Sequence, residues 1–234
     1  MNEDYKYPGE ELVLFNNARK WKKYFSKTIK KHTKGNVLEV GAGIGNNTLL
    51  LNDGSFHSWL LLEPDSEMAT TLQEKIRINK LPANCKCENK TIFEINESFD
   101  TIIYIDVLEH IQADTAELEK AFNLLNPGGK IIILSPAFNH LYIAFDKAIG
   151  HYRRYTSATL KKIFPENSRL IFSRYYDCAG YFGLLINKIF LNNTVPTKRK
   201  ILLWDNILVP LSTVLDKLTF HQFGKSIICI LVKE

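Results

Sequence analysis

The period of the apolar positions changes several times along this chain, and each change marks an element. Phe15, Ala18, Trp21, Phe25 and Ile29 recur at the spacing of one helical face, which predicts an amphipathic helix near the start. Short, nearly continuous apolar runs then alternate with helical patterns. NVLEVG precedes a helix over Asn47 to Asp53, WLLLEPD precedes one from Ser66 to about Asn79, CKCEN follows, FDTIIYID precedes one from about Ala113 to Leu125, and GKIIILSPA closes the series. Strands apolar on both faces and separated by helices predict a parallel sheet covered on both sides, a doubly wound α/β fold. From Pro136 the alternation stops. An aromatic and basic stretch around GHYRRYT, a strand near RLIFSRYY, an apolar helical region and a last strand, SIICILV, come next, the last expected to add to the sheet antiparallel.

Between Leu184 and Leu218 the chain is apolar enough to raise the question of a membrane span. Asn187 and Lys188 interrupt the first half, and Asp205, Asn206 and Pro210 the second, so neither offers the roughly 20 apolar residues a span needs. Ile207, Leu208, Leu211, Val214, Leu215 and Leu218 share one helical face, opposite Asp205, Ser212, Asp216 and Lys217. Packing of that apolar face into the core is the favoured expectation, and contact with lipid the lesser one.

A chain of 234 residues that is 45% hydrophobic can bury a full core, so one domain over 1–234 is expected. Its parts are a basic helix or lid over 1–35, a ligand-binding core over 36–137, and a loop, an apolar helical insertion and final strands over 138–234. Cys85, Cys87, Cys178 and Cys229 form no CxxC pair and no histidines sit at metal spacing, so no metal is expected. Met1 is followed by NEDYKYPGEE, which carries no apolar run, so the expectation is a cytoplasmic protein without a secretory signal. The net charge of +5 is concentrated: Arg19, Lys20, Lys22, Lys23, Lys27, Lys30, Lys31 and Lys34 lie in one acid-free segment. That basic helix face is either solvated or attracted to phosphate, in a lipid headgroup, a nucleic acid or a phosphorylated carrier. Peripheral contact at the inner membrane surface is one expectation that follows.

Residues 37–48, VLEVGAGIGNNT, read as strand, tight turn and helix start. Glycines at 41, 43 and 45 let the backbone turn sharply and approach a ligand, and the next helix presents free N–H groups. A dinucleotide-binding loop uses the same physics, and Glu63 ends the next strand where such loops place a ribose-binding acid. Here, however, the third glycine comes one position early, Asn46 stands where that motif wants glycine or alanine, and Glu39 precedes the turn. An acid aimed into the site would repel a pyrophosphate and suit a cation.

The pattern E-x-G-x-G-x-G resembles the first motif of class I S-adenosylmethionine-dependent methyltransferases, and the resemblance continues through LLEPD, IDVLEHI and LLNPGGKIIILSPA over residues 37 to 137. It implies S-adenosyl-L-methionine as cofactor and a Rossmann-like sheet of seven strands, mostly parallel, with the last antiparallel. The implied cofactor contacts are Glu39, Gly41, Ala42, Gly43, Gly45, Glu63, Pro64, Asp106 and Val107. Many relatives carry an Asp after the third strand for the adenine amino group; ENKTIFEI offers Asn89, Lys90 and Thr91 instead, so the expected contact is the Thr91 hydroxyl or backbone groups, with Glu88 as the alternative. The stretch SPAFNHLYIAFDKAIGHYRRYT resembles a subgroup with a VLEH motif and a GHxRRY acceptor loop, with Ile143 in place of a serine.

This implies acceptor contacts at Tyr142, Asp146, Arg153, Arg154 and Tyr155. His110 and His151 are the candidate bases, since an unperturbed histidine titrates near neutrality. His110 has packing against the cofactor as its alternative role. The paired arginines could clamp a phosphate or carboxylate, or Asp146 could pair with one of them to hold the loop together. Phe15, Trp21 and Tyr24 could form a lid over the site. The expected activity is methyl transfer to oxygen or nitrogen of a small-molecule, glycan or lipid-linked acceptor. The alternatives are a nucleic-acid methyltransferase using the basic helix, a non-catalytic cofactor-binding subunit, and, on the glycine motif alone, an NAD-dependent dehydrogenase.

Overall fold

The computed structural model describes residues 15–190 and 197–234. The polar N-terminal stretch on which the reading of no secretory signal rests lies outside the described residues. A first helix, α1 (Arg19–His32), leads into β1 (Asn36–Val40), α2 (Asn46–Leu51), β2 (Ser58–Leu62), α3 (Ser66–Arg77), β3 (Cys85–Glu88) and β4 (Phe99–Ile105). Then come α4 (Asp114–Asn123), β5 (Leu125–Pro136), the short helices α5 (Ala144–Ala148) and α6 (Ser157–Lys161), and β6 (Ser168–Tyr176). The chain ends with α7 (Cys178–Phe190), α8 (Lys198–Leu203), a π-helical segment (Trp204–Leu208), α9 (Val209–Leu218) and β7 (Ser226–Lys233).

The strands form one seven-stranded sheet in the order β3-β2-β1-β4-β5-β7-β6. β1 to β5 run parallel, and β7 lies antiparallel between β5 and β6, as expected for the last strand. Strand order reverses between β1 and β4, so the carboxyl ends of those two strands open a crevice where such sheets bind ligands. Alternate residues feed the two faces. Leu38, Ile102, Tyr104, Ile131 and Ile133 join the core beneath α4, while Val37, Ile103, Ile105, Ile132 and Leu134 join the core beneath α1.

Most of the apolar face expected to pack into the core points outward instead, although Leu208 packs against the core beside the buried Ile201, Trp204 and Val209. Leu203, Ile207, Leu211, Val214 and Leu218 are 48–68% exposed, whereas Asp205, Ser212 and Asp216 are buried. The reason lies in the helices beneath. Ala18, at the start of α1, has no capping side chain, and the carboxylate of Asp205 instead accepts from the N–H groups of Lys20 (3.1 Å) and Trp21 (2.8 Å). At the start of α7, Asp216 accepts from the amides of Asp177 and Cys178, each at 2.8 Å, and Ser212 Oγ accepts from that of Ala179 at 3.0 Å. Orphan N–H groups at a buried helix start need acceptors. The polar face of α8–α9 supplies them, which turns its apolar face outward.

Candidate active site

Beyond the carboxyl ends of β1 and β4 lies a cavity of about 430 Å³, within the usual size range of small-molecule sites. One wall is the glycine turn. Gly41, Gly43 and Gly45 all have positive φ, and a Cβ on Gly41 would lie 2.6 Å from a methyl of Val107. A side chain there would fill the space against the fourth-strand loop. Gly41, Ala42 and Gly43 line the cavity; Gly45 packs behind it, where a Cβ would meet Leu72 at 2.8 Å.

Glu63 ends β2 beside this turn. Its Oε2 accepts from the Gly43 amide at 2.7 Å and its Oε1 from the Asp65 amide at 3.0 Å. Burial raises its pKa, against the opposing effect of those two amides. Asp65 then caps α3 by accepting from the amides of Glu67 and Met68, which fixes where β2 stops and leaves Glu63 and Pro64 on the cavity wall. Glu39 is corrected by the structure. It does not line the cavity; its Oε2 accepts from Thr48 Oγ1 and Trp59 Nε1, both at 2.8 Å, and burial lifts its pKa to about 7. It braces the turn from behind rather than offering a charge to a ligand.

Asp106 and Val107 follow β4 and line the cavity, as does His110. Asp106 holds a left-handed backbone, φ 53°, a conformation that non-glycine residues adopt mainly where surrounding structure enforces it. Burial raises its pKa, opposed by the charges of His151, Lys225 and Lys22. Burial pushes the His110 imidazole down to about 3, with the neighbouring His151 adding to the effect and Asp146 opposing it, which favours the neutral ring. Thr91 also lines the cavity, its amide and hydroxyl both donating to Glu94.

Arginine clamping of an anion, one of the two readings of the GHxRRY loop, is overturned; its alternative, Asp146 holding the loop, is what is seen. Arg154 makes a bidentate pair with Asp146, 2.9 Å on each arm, and Arg153 pairs with Asp114 while donating to the Gln112 carbonyl at 3.0 Å. Asp146, 1% exposed, also accepts from the Ile143 amide and from His151 Nδ1, each at 2.9 Å. Tyr142 donates to the His151 carbonyl at 2.6 Å, and Tyr155 donates to Asp114 at 2.7 Å. Neither these five residues nor His151 lines the cavity. His151 stands in the layer behind, its ring edge-on to His110 at 4.5 Å between centroids. Burial disfavours its charged form, but the Asp146 hydrogen bond and the charges of Glu109 and Asp146 outweigh that and raise its pKa.

Some site residues were not singled out from sequence. Lys22 lines the cavity instead of standing on the solvated basic face. Its spacing from Ala18, Phe25 and Ile29 places it on the inward stripe, and that signal was available. Trp21 and Phe15 line the cavity too, whereas Tyr24 turns away to donate to Asp216 at 2.9 Å. Glu109 is fully buried; Oε2 accepts from Ser135 at 2.6 Å and Oε1 has no hydrogen-bond partner. Glu109, His110 and His151 offer ligand atoms within 4.8 Å of one another, close enough to share a metal ion. Sequence spacing misses this because the fold unites histidines 41 positions apart. Glu117 lines the cavity from α4, and burial lifts its pKa to about 7.

Comparison with known proteins agrees with this geometry. The chain is 27% identical over 146 residues to the ubiquinone/menaquinone biosynthesis C-methyltransferase UbiE of Geotalea daltonii, a match covering 56% of this chain and 60% of that protein. It thus spans less than two thirds of that relative. In fold it is similar to the YcgJ protein of Bacillus subtilis (TM-score 0.58, 15% identity, 91% of this chain and 97% of that one). It is also similar to the [4+2]-cyclase SpnF (TM-score 0.60, 12% identity, 90% and 80%), so this fold serves more than one chemistry. A family model described as "Methyltransferase domain" matches residues 14–167. With two thirds of its length matched and a glycine cradle that leaves room for a ligand, the chain belongs to the methyltransferase-domain family, whose methyl donor is S-adenosylmethionine.

Proposed function

We propose that this protein transfers a methyl group from S-adenosylmethionine to an oxygen or nitrogen of a small-molecule, glycan or lipid-linked acceptor. The observation that carries the reading is one continuous cavity wall on which the glycine turn, Glu63, Asp106 and His110 converge. Glu63 would hold the ribose, since a carboxylate taking one amide on each oxygen still has lone pairs for two hydroxyls. Gly41 to Gly43 would pass beneath the amino-acid moiety. Thr91 would face the adenine, with Glu117 from the helix packed on the Ile92–Glu94 turn as a carboxylate in place of the Asp that many relatives carry after the third strand. When bound, the sulfonium supplies an electrophilic methyl group.

The chain's own part is to align the acceptor, exclude water and take a proton. Alignment is worth several kcal/mol, roughly 7 or more in favourable cases, and a positioned base about 10²- to 10⁴-fold in rate. Helix α1 lines the cavity through Trp21, Lys22 and Phe25 and would act as its lid against bulk water. Two wall groups can accept the acceptor's proton: Asp106, whose raised pKa brings it closer to neutrality, and His110, whose ring burial keeps unprotonated beforehand at the cost of weakening it as a base. The GHxRRY loop would support them from behind, by fixing His151 against His110. We read the chain as a member of the VLEH and GHxRRY subgroup, acting in the cytoplasm with peripheral contact at the inner membrane surface.

The relative named as a C-methyltransferase favours a second reading, transfer to an activated carbon, on the same cavity. Labelled methyl transfer from S-adenosylmethionine into fractionated cell lysate tests both. Label in lipid or glycan, as an ether, ester or methylamine and reduced in His110→Gln, is expected. Label on carbon would select the second reading, and label in nucleic acid would overturn both.

A further inference from the structure

We infer that the outward apolar face of α8–α9, with the cations beside it, is a docking surface for an anionic lipid bilayer. The inference deepens the peripheral contact proposed above by naming the surface and the lipid chemistry, and it does not depend on which acceptor is methylated. Leu203, Ile207, Leu211, Val214 and Leu218 follow one another at intervals of four, four, three and four, a single exposed stripe on a segment whose buried side mixes Ile201, Trp204 and Val209 with the capping groups Asp205, Ser212 and Asp216. On α7, Phe182, Ile186 and Ile189 are exposed as well. The two helices pack together, with Gly183 against Leu208. Scattered exposed apolar residues are ordinary, but a continuous stripe on one helix, paired with a second, marks a surface that something covers.

Charge identifies the occupant. Arg199 and Lys200 stand one turn before Leu203 and are exposed. Lys20 of α1 donates to the Asn206 carbonyl at 3.3 Å, which brings a cation from the basic helix beside Ile207. Arg19, Lys23, Lys27, Lys30 and Lys31 continue that exposed basic face. Helices α1 and α7 contain no acid, and the two acids of the α8–α9 segment, Asp205 and Asp216, are buried as helix caps. Among the described residues, these helices therefore expose cations and apolar side chains but no acid. A second copy docked symmetrically would set these cations against themselves. A bilayer with anionic headgroups takes both parts, the apolar stripe at the acyl boundary and the cations among the phosphates. Trp204, buried beneath this face, packs against Phe15 and against Trp21 of α1, both of which line the cavity, so the docked surface adjoins the cavity wall.

Co-sedimentation of the full chain with phosphatidylcholine vesicles, with and without phosphatidylglycerol, tests this. Binding only to the anionic vesicles is expected. Arg199→Gln and Lys200→Gln should each weaken it about fivefold, and Leu211→Glu should abolish it. Leu211 is exposed, so the far-ultraviolet circular dichroism of L211E should match the wild type. In Leu211→Trp the emission should shift to the blue on adding anionic vesicles. No sedimentation with either vesicle, binding indifferent to L211E, or a dimer in gel filtration that L211E dissociates while vesicles bind nothing, would each overturn the inference. None of these readouts involves methyl transfer, so they leave the reading of the cavity untouched.

Discussion

Asp146→Asn removes one charge from the centre of the GHxRRY loop at constant volume. In the folded protein this carboxylate takes both arms of Arg154, His151 Nδ1 and the Ile143 amide, and Arg154 is itself buried. Neutralising Asp146 leaves a guanidinium in the interior without its counter-charge, a change that costs about 3–5 kcal/mol in comparable buried pairs. That is a large share of the roughly 5–15 kcal/mol by which a domain is stable. With a urea dependence of about 2 kcal/mol per molar, the unfolding midpoint should fall by roughly 2 M.

The pH dependence carries a signature. Burial works against ionisation of Asp146, but the His151 hydrogen bond and the Arg154 charge outweigh it and lower its pKa, so its contribution is present above the unfolded value near 3.9 and is lost as pH falls through the folded one. The pKa of His151 is raised, so its contribution is complete below the unfolded value near 6.5 and is lost as pH rises through the folded one. The gap between wild type and variant should therefore be widest in mildly acid buffer and narrow on both sides. Urea titrations followed by circular dichroism across pH 3 to 9 would measure it. The exposed Glu74–Arg77 pair is the control, and Glu74→Gln should leave the midpoint in place. A loss below about 1 kcal/mol, or a gap that is flat with pH, would refute the claim that Asp146 organises this loop.

Asp205→Ala removes the long-range cap of α1 and should lower stability by about 1–2 kcal/mol, with faster hydrogen exchange at the Lys20 and Trp21 amides; unchanged exchange would contradict the cap. Gly41→Val should abolish S-adenosylhomocysteine binding in calorimetry, because its Cβ meets Val107 and its φ is +64°, whereas Gly54→Asn, also at positive φ but in open space, should retain it. In a pH–rate profile from 5 to 8, His110→Gln should keep whatever rising limb the wild type shows, since burial pushes the His110 pKa down below that range; Glu109→Gln should shift it, because Glu109 and Asp106 both have raised pKa values and interact. Loss of the limb in His110→Gln would return that residue to the role of titrating base.

Strand alternation, the glycine turn and Glu63 were legible because each leaves a local pattern: period two, positive-φ residues and an acid at a strand end. What was missed depends on contacts distant in sequence. The stripe from Ile207 to Leu218 has a clear period, but periodicity cannot say which face is inward; Asp205 and Asp216 decide it by capping helices whose starts lie 184 and 38 residues away. Arg153 and Arg154 look like an anion clamp until Asp114 and Asp146 are brought to them by the fold. Glu39 sits at the expected motif position, yet Thr48 and Trp59 draw its carboxylate behind the turn.

The central claim is that the glycine turn and Glu63 form the cradle for S-adenosylmethionine. Calorimetric titration of S-adenosylhomocysteine into wild type and Glu63→Ala, with NAD as the competing ligand, tests it most directly. The account predicts single-site binding to the wild type, no binding to the folded variant and no binding of NAD. Affinity unchanged in Glu63→Ala, or preference for NAD, would contradict it.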